Sequence, residues 1–130
     1  MTACDVSEVW FHGTPLRLTA IRKGSTITQD RDLARVFSHR PTLVSISDDA
    51  GIDRIRHDGA VAGFLYRIAE DLRPGDVYPH PHSSMGPGKE WLTRRELRVI
   101  LVGPTEIVEQ QRLTRKESES LRTRLQMRDR

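Results

Sequence analysis

A single cysteine, Cys4, is all the thiol chemistry this chain carries. That excludes an intrachain disulfide framework and a cysteine-based zinc site, and points to a reducing cytoplasm. Long apolar runs are missing as well. None approaches the ~20 residues that a membrane-spanning helix requires, so no membrane partner is expected. The opening stretch, MTACDVSEVW, has acids and no basic flank ahead of an apolar segment, and is not expected to act as a signal peptide. No internal repeat is visible. Most of the chain also lacks an excess of either charge. A net charge of +3 and a pI near 9.5 invite a nucleic-acid partner. Yet residues 109–130 hold that whole excess, seven basic side chains against four acidic ones, while residues 1–108 balance at fourteen of each.

What is present is one domain's worth of sequence, 130 residues with 36% hydrophobic composition, enough for a modest core. Val9–His12 reads as a short strand broken by Gly13-Thr14-Pro15. Lys23-Gly24-Ser25 reads as a turn, and the β-branched Thr26-Ile27-Thr28 as a second strand. From Asp30 to Ser38 the period changes: Leu33, Val36 and Phe37 share a helical face, Thr28 or Asp30 serves as cap, and Pro41 ends the helix. Thr42–Ser47 alternates as a strand, and 48–59 is turn-rich. Ala60–Ala69 is the best central strand, and Glu96–Gly103 is another, closed by Pro104. Between them, 73–89 holds seven of the chain's sixteen prolines and glycines. A loop of that length in a compact domain is often functional. At the C-terminus, Thr114 and Glu117 fit a helix capping box, Arg115 and Glu119 an i, i+4 pair, and Leu121 and Leu125 a thin apolar stripe. Many short strands with one early and one terminal helix give an α+β fold class.

Four features bear on chemistry. His12, at a strand end before Gly13-Thr14, reads either as a surface histidine beside a turn or as a ring projecting into a cleft, with Gly13 allowing close backbone approach. Ser25–Thr28 leads into the helix that ends at Phe37; its hydroxyls are β-formers and caps by default, and Phe37 is either core or a stacking platform. His80 and His82 are spaced for a metal only if a third ligand converges, and none is spaced to do so; no metal is expected. Glu90, between Lys89 and Trp91, is an acid that follows the flexible loop.

The order His12-Gly13-Thr14, a short β segment, a helix carrying Ala34 and Phe37, and a late acid at a strand resembles the ADP-ribosyltransferase fold. It is closest to the small rifampin ADP-ribosyltransferase group and the poly(ADP-ribose) polymerase-like branch. The resemblance spans roughly residues 9–103 and extends to the strands Gly63–Ile68 and Glu96–Val102. It implies a compact split β-sheet core, with 1–108 as the transferase-like domain; 109–130, a basic helical tail by its charge and capping box, has no counterpart in the family. It implies NAD as substrate, with His12 on the nicotinamide-side ribose, the Gly13 backbone on the carboxamide, Thr14 completing the motif, and Phe37 stacked on nicotinamide. Thr26 falls where the family's first tyrosine lies and cannot stack. The polymerase-like match selects Glu90 as catalytic acid; the rifampin-transferase-like match selects Asp76; Glu96 comes third. Arg17, Arg22 and Arg40 lie nearest the motifs for the pyrophosphate.

The implied reaction passes ADP-ribose to an acceptor and releases nicotinamide. The ribose carbon becomes cation-like, and a carboxylate stabilises that charge as in glycoside hydrolysis. His12 would serve as a positioning donor. The acceptor stays open among small molecules, proteins and nucleic acids, with 73–89 as the surface that chooses it through Tyr78, His80, His82 and Ser83-Ser84. Two other functions stand beside it: a non-catalytic NAD or nucleotide-binding module on the same fold, and, from the basic tail and the shared fold class, a nucleic-acid-directed transferase such as the RNA 2′-phosphotransferase branch, which relies on an arginine-rich site and lacks the His-Gly-Thr pattern.

Overall fold

The computed structural model describes residues 5–81 and 88–128. The fold is α+β, two helices and nine strands in antiparallel sheets. Strands β1 (Phe11–Thr14) and β2 (Ala20–Ile21) come first, followed by β3 (Thr26–Ile27) and helix α1 (Arg31–Phe37). Next are β4 (Val44–Asp49), β5 (Ile52–His57) and β6 (Gly63–Ile68). The chain then runs through β7 (Val77–Pro79), β8 (Trp91–Thr93) and β9 (Leu97–Thr105) to helix α2 (Arg115–Arg128).

The strands form three sheets, β1-β6-β9-β2, β3-β8-β7 and the β4–β5 hairpin. The first two meet at one point, where Phe11 and Thr28 exchange main-chain hydrogen bonds of 2.7 and 3.0 Å. Between them lies the main core, built on Trp10, Ile27, Tyr66, Ile68, Leu97 and neighbours. Burying a side chain of this size stabilises the fold by roughly 1.5–3 kcal/mol. Tyr66 also uses its hydroxyl, which donates to Leu16 O (2.9 Å) and accepts from Leu18 N–H (2.8 Å), fixing the β1–β2 connection. A second cluster joins α1 to the hairpin through Leu33, Val36 and Ile55, with Phe37, Val44 and Ile46 packed against it.

Of the two candidate caps of α1, Asp30 accepts from Leu33 N–H (3.2 Å), while Thr28 Oγ1 accepts from Asp30 N–H (3.0 Å). Ser38 closes the helix, and its hydroxyl is 2.7 Å from that of Thr105 on β9. The Thr114–Glu117 capping box forms with both reciprocal bonds, 3.1 and 3.0 Å. Arg115 and Glu119 pair at 3.3 Å. The side chain of Leu125 lies outside the described residues.

Four sequence expectations differ from the structure. The first strand is not broken at Gly13: β1 carries on through Gly13 and Thr14, which pair with Leu65 and Phe64 of β6. The turn-rich 48–59 contains a strand: β5 pairs along its whole length with β4, turning at Ala50 and Gly51, with φ of 55° and 84°. Positive φ at both turn positions matches the twist of a two-residue hairpin. The strand was hidden because its outward positions, Arg54 and Arg56, are charged and an inward one is His57. β9 runs through Pro104 rather than stopping before it; β2 covers only Leu97 and Arg98, so Pro104 sits where the other edge needs no N–H donor. The 73–89 segment is partly regular, with a 3-10 turn at Pro74–Asp76 and then β7, which pairs with β8.

Residues 109–117 touch the body. Leu113 N–H donates to His57 O (2.8 Å), Arg35 donates to Gln111 Oε1 (2.6 Å), and Arg56 pairs with Glu117 at 3.0 Å. Among the described residues no helix is long and apolar enough to cross a membrane.

Candidate active site

The site begins where two strands part. With Phe11 paired to Thr28, continued antiparallel pairing would set Gly13 opposite Thr26. The His12 ring takes that acceptor instead: Nδ1–H donates to Thr26 O at 2.7 Å. The strands diverge there. By strand alternation the peptide groups of Gly13 lie on the same edge as those of Phe11, facing the gap that β3 leaves.

This bond also sets the histidine's chemistry. A proton held at Nδ1 leaves Nε2 of the neutral ring as a hydrogen-bond acceptor. Burial pushes the His12 pKa below the usual histidine value, against a smaller opposing effect from the Thr26 carbonyl. The neutral ring is therefore the favoured form. At its other nitrogen the neutral ring can accept a hydrogen bond, as from a hydroxyl, rather than donate one.

The other walls come from distant parts of the sequence. Phe37, in the last turn of α1, is half-buried and faces the same gap as His12, Gly13, Thr26 and Glu90; the cleft they line has a volume of about 200 Å³. Helix α1 is pressed so closely on β1 that a Cβ on Gly13 would lie 1.8 Å from Ala34 O. The glycine is thus required by the helix above it, beyond any use in ligand approach. Glu90 is held from both sides. Its carbonyl accepts from His80 N–H (3.0 Å), and the next residue, Trp91, packs edge-on against Trp10 with ring centroids 5.8 Å apart. Preceding it, Lys89 pairs at 3.6 Å with Asp30, the cap of α1. Nothing in the sequence announces that ion pair, although Asp30 is one of the two cap candidates it offers.

Five candidates therefore converge and the others do not. Thr14 is buried, its hydroxyl accepting from Leu16 N–H (3.2 Å), and does not line the cleft. Asp76 belongs to the 3-10 turn: it accepts from Arg73 N–H (2.9 Å) and pairs with Arg95 at 3.1 Å, while Arg95 also reaches Glu70 at 2.8 Å. Glu96 is exposed just ahead of β9. Arg17 lies over the Phe64 ring, 4.9 Å from its centroid, and neither it nor the exposed Arg22 and Arg40 lines the cleft. His82 and Ser83-Ser84 fall outside the described residues. Among those described, no three His, Cys, Asp or Glu side chains converge as a metal site. Three larger hollows, of about 460, 470 and 260 Å³, lie by Arg67, Asp71 and Arg98, by Arg17, Tyr66 and Leu101, and by Ser45, Leu113 and Leu121. None of them brings an imidazole, a carboxylate and an aromatic ring together.

The Asp76 network has a testable structural role. The Arg73 N–H and the Arg95 guanidinium hold the Asp76 carboxyl below the usual carboxylate value. A lowered carboxylate contributes stability that is whole above its unfolded pKa of about 3.9 and is lost as pH falls below it. Asp76→Ala should cost about 1 kcal/mol at neutral pH, through the lost cap and ion pair, and the gap from wild type should be smaller at about pH 3. Thermal melts of both proteins at the two pH values check this; an equal gap at both would contradict it.

No protein-family model matches this chain, and no curated protein or solved structure matches it either.

Proposed function

We propose that the chain cleaves NAD and transfers its ADP-ribose, with Glu90 as the catalytic carboxylate. One observation carries this: His12, Gly13, Thr26, Phe37 and Glu90, spread over most of the sequence, line one cleft. At about 200 Å³ it is smaller than the roughly 300–1,000 Å³ pockets that enclose drug-sized ligands. It suits the nicotinamide and its ribose, with the rest of the dinucleotide outside. Phe37 offers a ring to the nicotinamide face, Gly13 offers peptide groups to the carboxamide, and His12 Nε2 accepts from a ribose hydroxyl. As the bond from the ribose carbon to the nicotinamide nitrogen breaks, its electron pair leaves with nicotinamide. Positive charge grows on the ribose carbon, and the Glu90 carboxylate stabilises it more in the transition state than before it. An acceptor nucleophile then attacks that carbon and gives up its proton.

Thr26 favours a second reading, because it brings no second ring to enclose nicotinamide. On that reading the cleft binds NAD or a related nucleotide without turnover. Purified protein incubated with NAD, with nicotinamide release and the NAD-induced thermal shift measured together, separates the two. Release above the background of His12→Ala supports the transferase. A thermal shift without release supports the binding module, and neither signal sinks both. The cytoplasmic location expected from the single cysteine belongs to the same proposal.

A further inference from the structure

We propose that the stacked pair His39–His57 is an acid-sensitive latch that holds the β4–β5 hairpin and the C-terminal segment against α1. The inference stands apart from the NAD reading and concerns a different part of the molecule. Among the described strands the hairpin shares no ladder with either larger sheet. It is attached through the small Leu33, Val36 and Ile55 cluster and through the two histidines. His39 follows α1, and His57 ends β5. Both are fully buried, their rings 14° from parallel with centroids 5.6 Å apart.

The hydrogen bonds fix opposite tautomers. His39 Nδ1 is 2.7 Å from Val61 O, so it carries the proton and its Nε2 is bare. His57 Nδ1 accepts from Gly59 N–H at 3.0 Å, so its proton is on Nε2. Both Nε2 atoms are buried with no partner. A second proton on His57 would sit at Nδ1, against the Gly59 N–H. The 58–63 turn gives no room for relief, since a Cβ on Gly59 would fall 2.7 Å from the His39 Cβ and 3.0 Å from His57 Nδ1.

The surrounding charges act mainly in the same direction. Burial lowers the His57 pKa most; His39, Arg35 of α1 and Arg112 of the C-terminal segment lower it too, and Asp58 alone opposes them. The Asp58 carboxylate is itself occupied by Thr42 and by Leu43 N–H (2.9 Å). A histidine held neutral in the fold contributes stability that is whole above its unfolded pKa of about 6.5 and is lost as pH falls below it. Opening the latch exposes the ring, which then takes up a proton. Because His57 O accepts from Leu113 N–H and Arg56 donates to Arg112 O, moving the end of β5 also releases the C-terminal segment.

Amide hydrogen exchange on the full chain tests the proposal. The probes are Leu113 and the hairpin amides, with Ile68, bonded to Trp10 O in the main sheet, as the global reference. Between about pH 7.5 and about pH 5, after correction for intrinsic rates, the opening constant of Leu113 should rise severalfold, towards the ceiling of about 30-fold set by the proton linkage of one histidine. At the acid end it should be shared with the hairpin and exceed that of Ile68 at least tenfold. His57→Phe keeps a ring in the stack and cannot titrate, so the rise should flatten to under threefold. If that variant fails to fold, the His57 ring titration in the wild type replaces it and should track Leu113 opening. A pH-independent Leu113, one that opens only with Ile68, an undiminished rise in His57→Phe, or a His57 titration out of step with Leu113 would each overturn the latch.

Discussion

Gly13→Ala should destabilise the protein by about 3 kcal/mol or more, among the largest effects any single methyl can have here. The added carbon would fall 1.8 Å from Ala34 O, 2.8 Å from Ala34 C and 2.9 Å from Ser38 N. All three are backbone atoms of the α1 region, so no side-chain rotation relieves the overlap. Either β1 separates from β6, or α1 lifts away from the sheet and takes Phe37 out of the cleft. Gly75→Ala is the matched control: nothing lies within 4 Å of a Cβ there, and its stability should stay within about 0.5 kcal/mol of wild type. Urea unfolding of the three proteins gives the comparison. A Gly13→Ala midpoint equal to that of Gly75→Ala would mean the helix does not press on the strand as described.

Glu90→Gln should leave the fold intact and lower nicotinamide release by about 100-fold or more, the scale on which loss of a single transition-state electrostatic contact acts. Glu90 is partly exposed, and the contacts that hold it in place, the His80 bond to its carbonyl and the packing of Trp91, do not involve its carboxylate. The melting temperature should therefore scarcely move. NAD binding should survive, because His12, Gly13 and Phe37 are untouched, so the fall belongs to kcat rather than KM. Asp76→Ala reverses this pattern, with lower stability and release within about twofold of wild type. If Glu90→Gln kept full release while Asp76→Ala abolished it, the choice between the two acids would have to be exchanged.

The sequence made parts of this legible for physical reasons. Helix α1 announces itself through Leu33, Val36 and Phe37 at helical spacing, with Thr28 or Asp30 as cap, because a short helix against a sheet must bury one stripe. The capping box at Thr114 is local chemistry that no distant contact modifies. β5 was not legible, because its alternation runs through Arg54, Arg56 and His57, and it is the fold that buries an imidazole where a hydrophobic residue would ordinarily signal a strand. The site divides the same way. His12, Gly13, Thr26, Phe37 and Glu90 were reachable as an ordered set. The competition between Asp76 and Glu90 was not, since it turns on where Arg95 reaches. The tautomer of His12 was equally hidden, because its partner, Thr26 O, belongs to a strand fourteen residues away.

The order of the strands also dictates when the molecule can exist during synthesis. β1 needs β6, and β6 needs β9, so the sheet that holds the first strand made is complete only with the last. The cleft closes only once Glu90 is available, 78 residues after His12. At a ribosomal rate of about 5–20 residues per second, that is a wait of roughly 4–16 s. For most of that interval, until β6 is made, Trp10 and Phe11 travel on an unpaired strand edge, the kind of surface that chaperones cover and that other nascent chains can capture. The same long-range pairing that builds the cleft makes the newborn chain dependent on company until its last strand arrives.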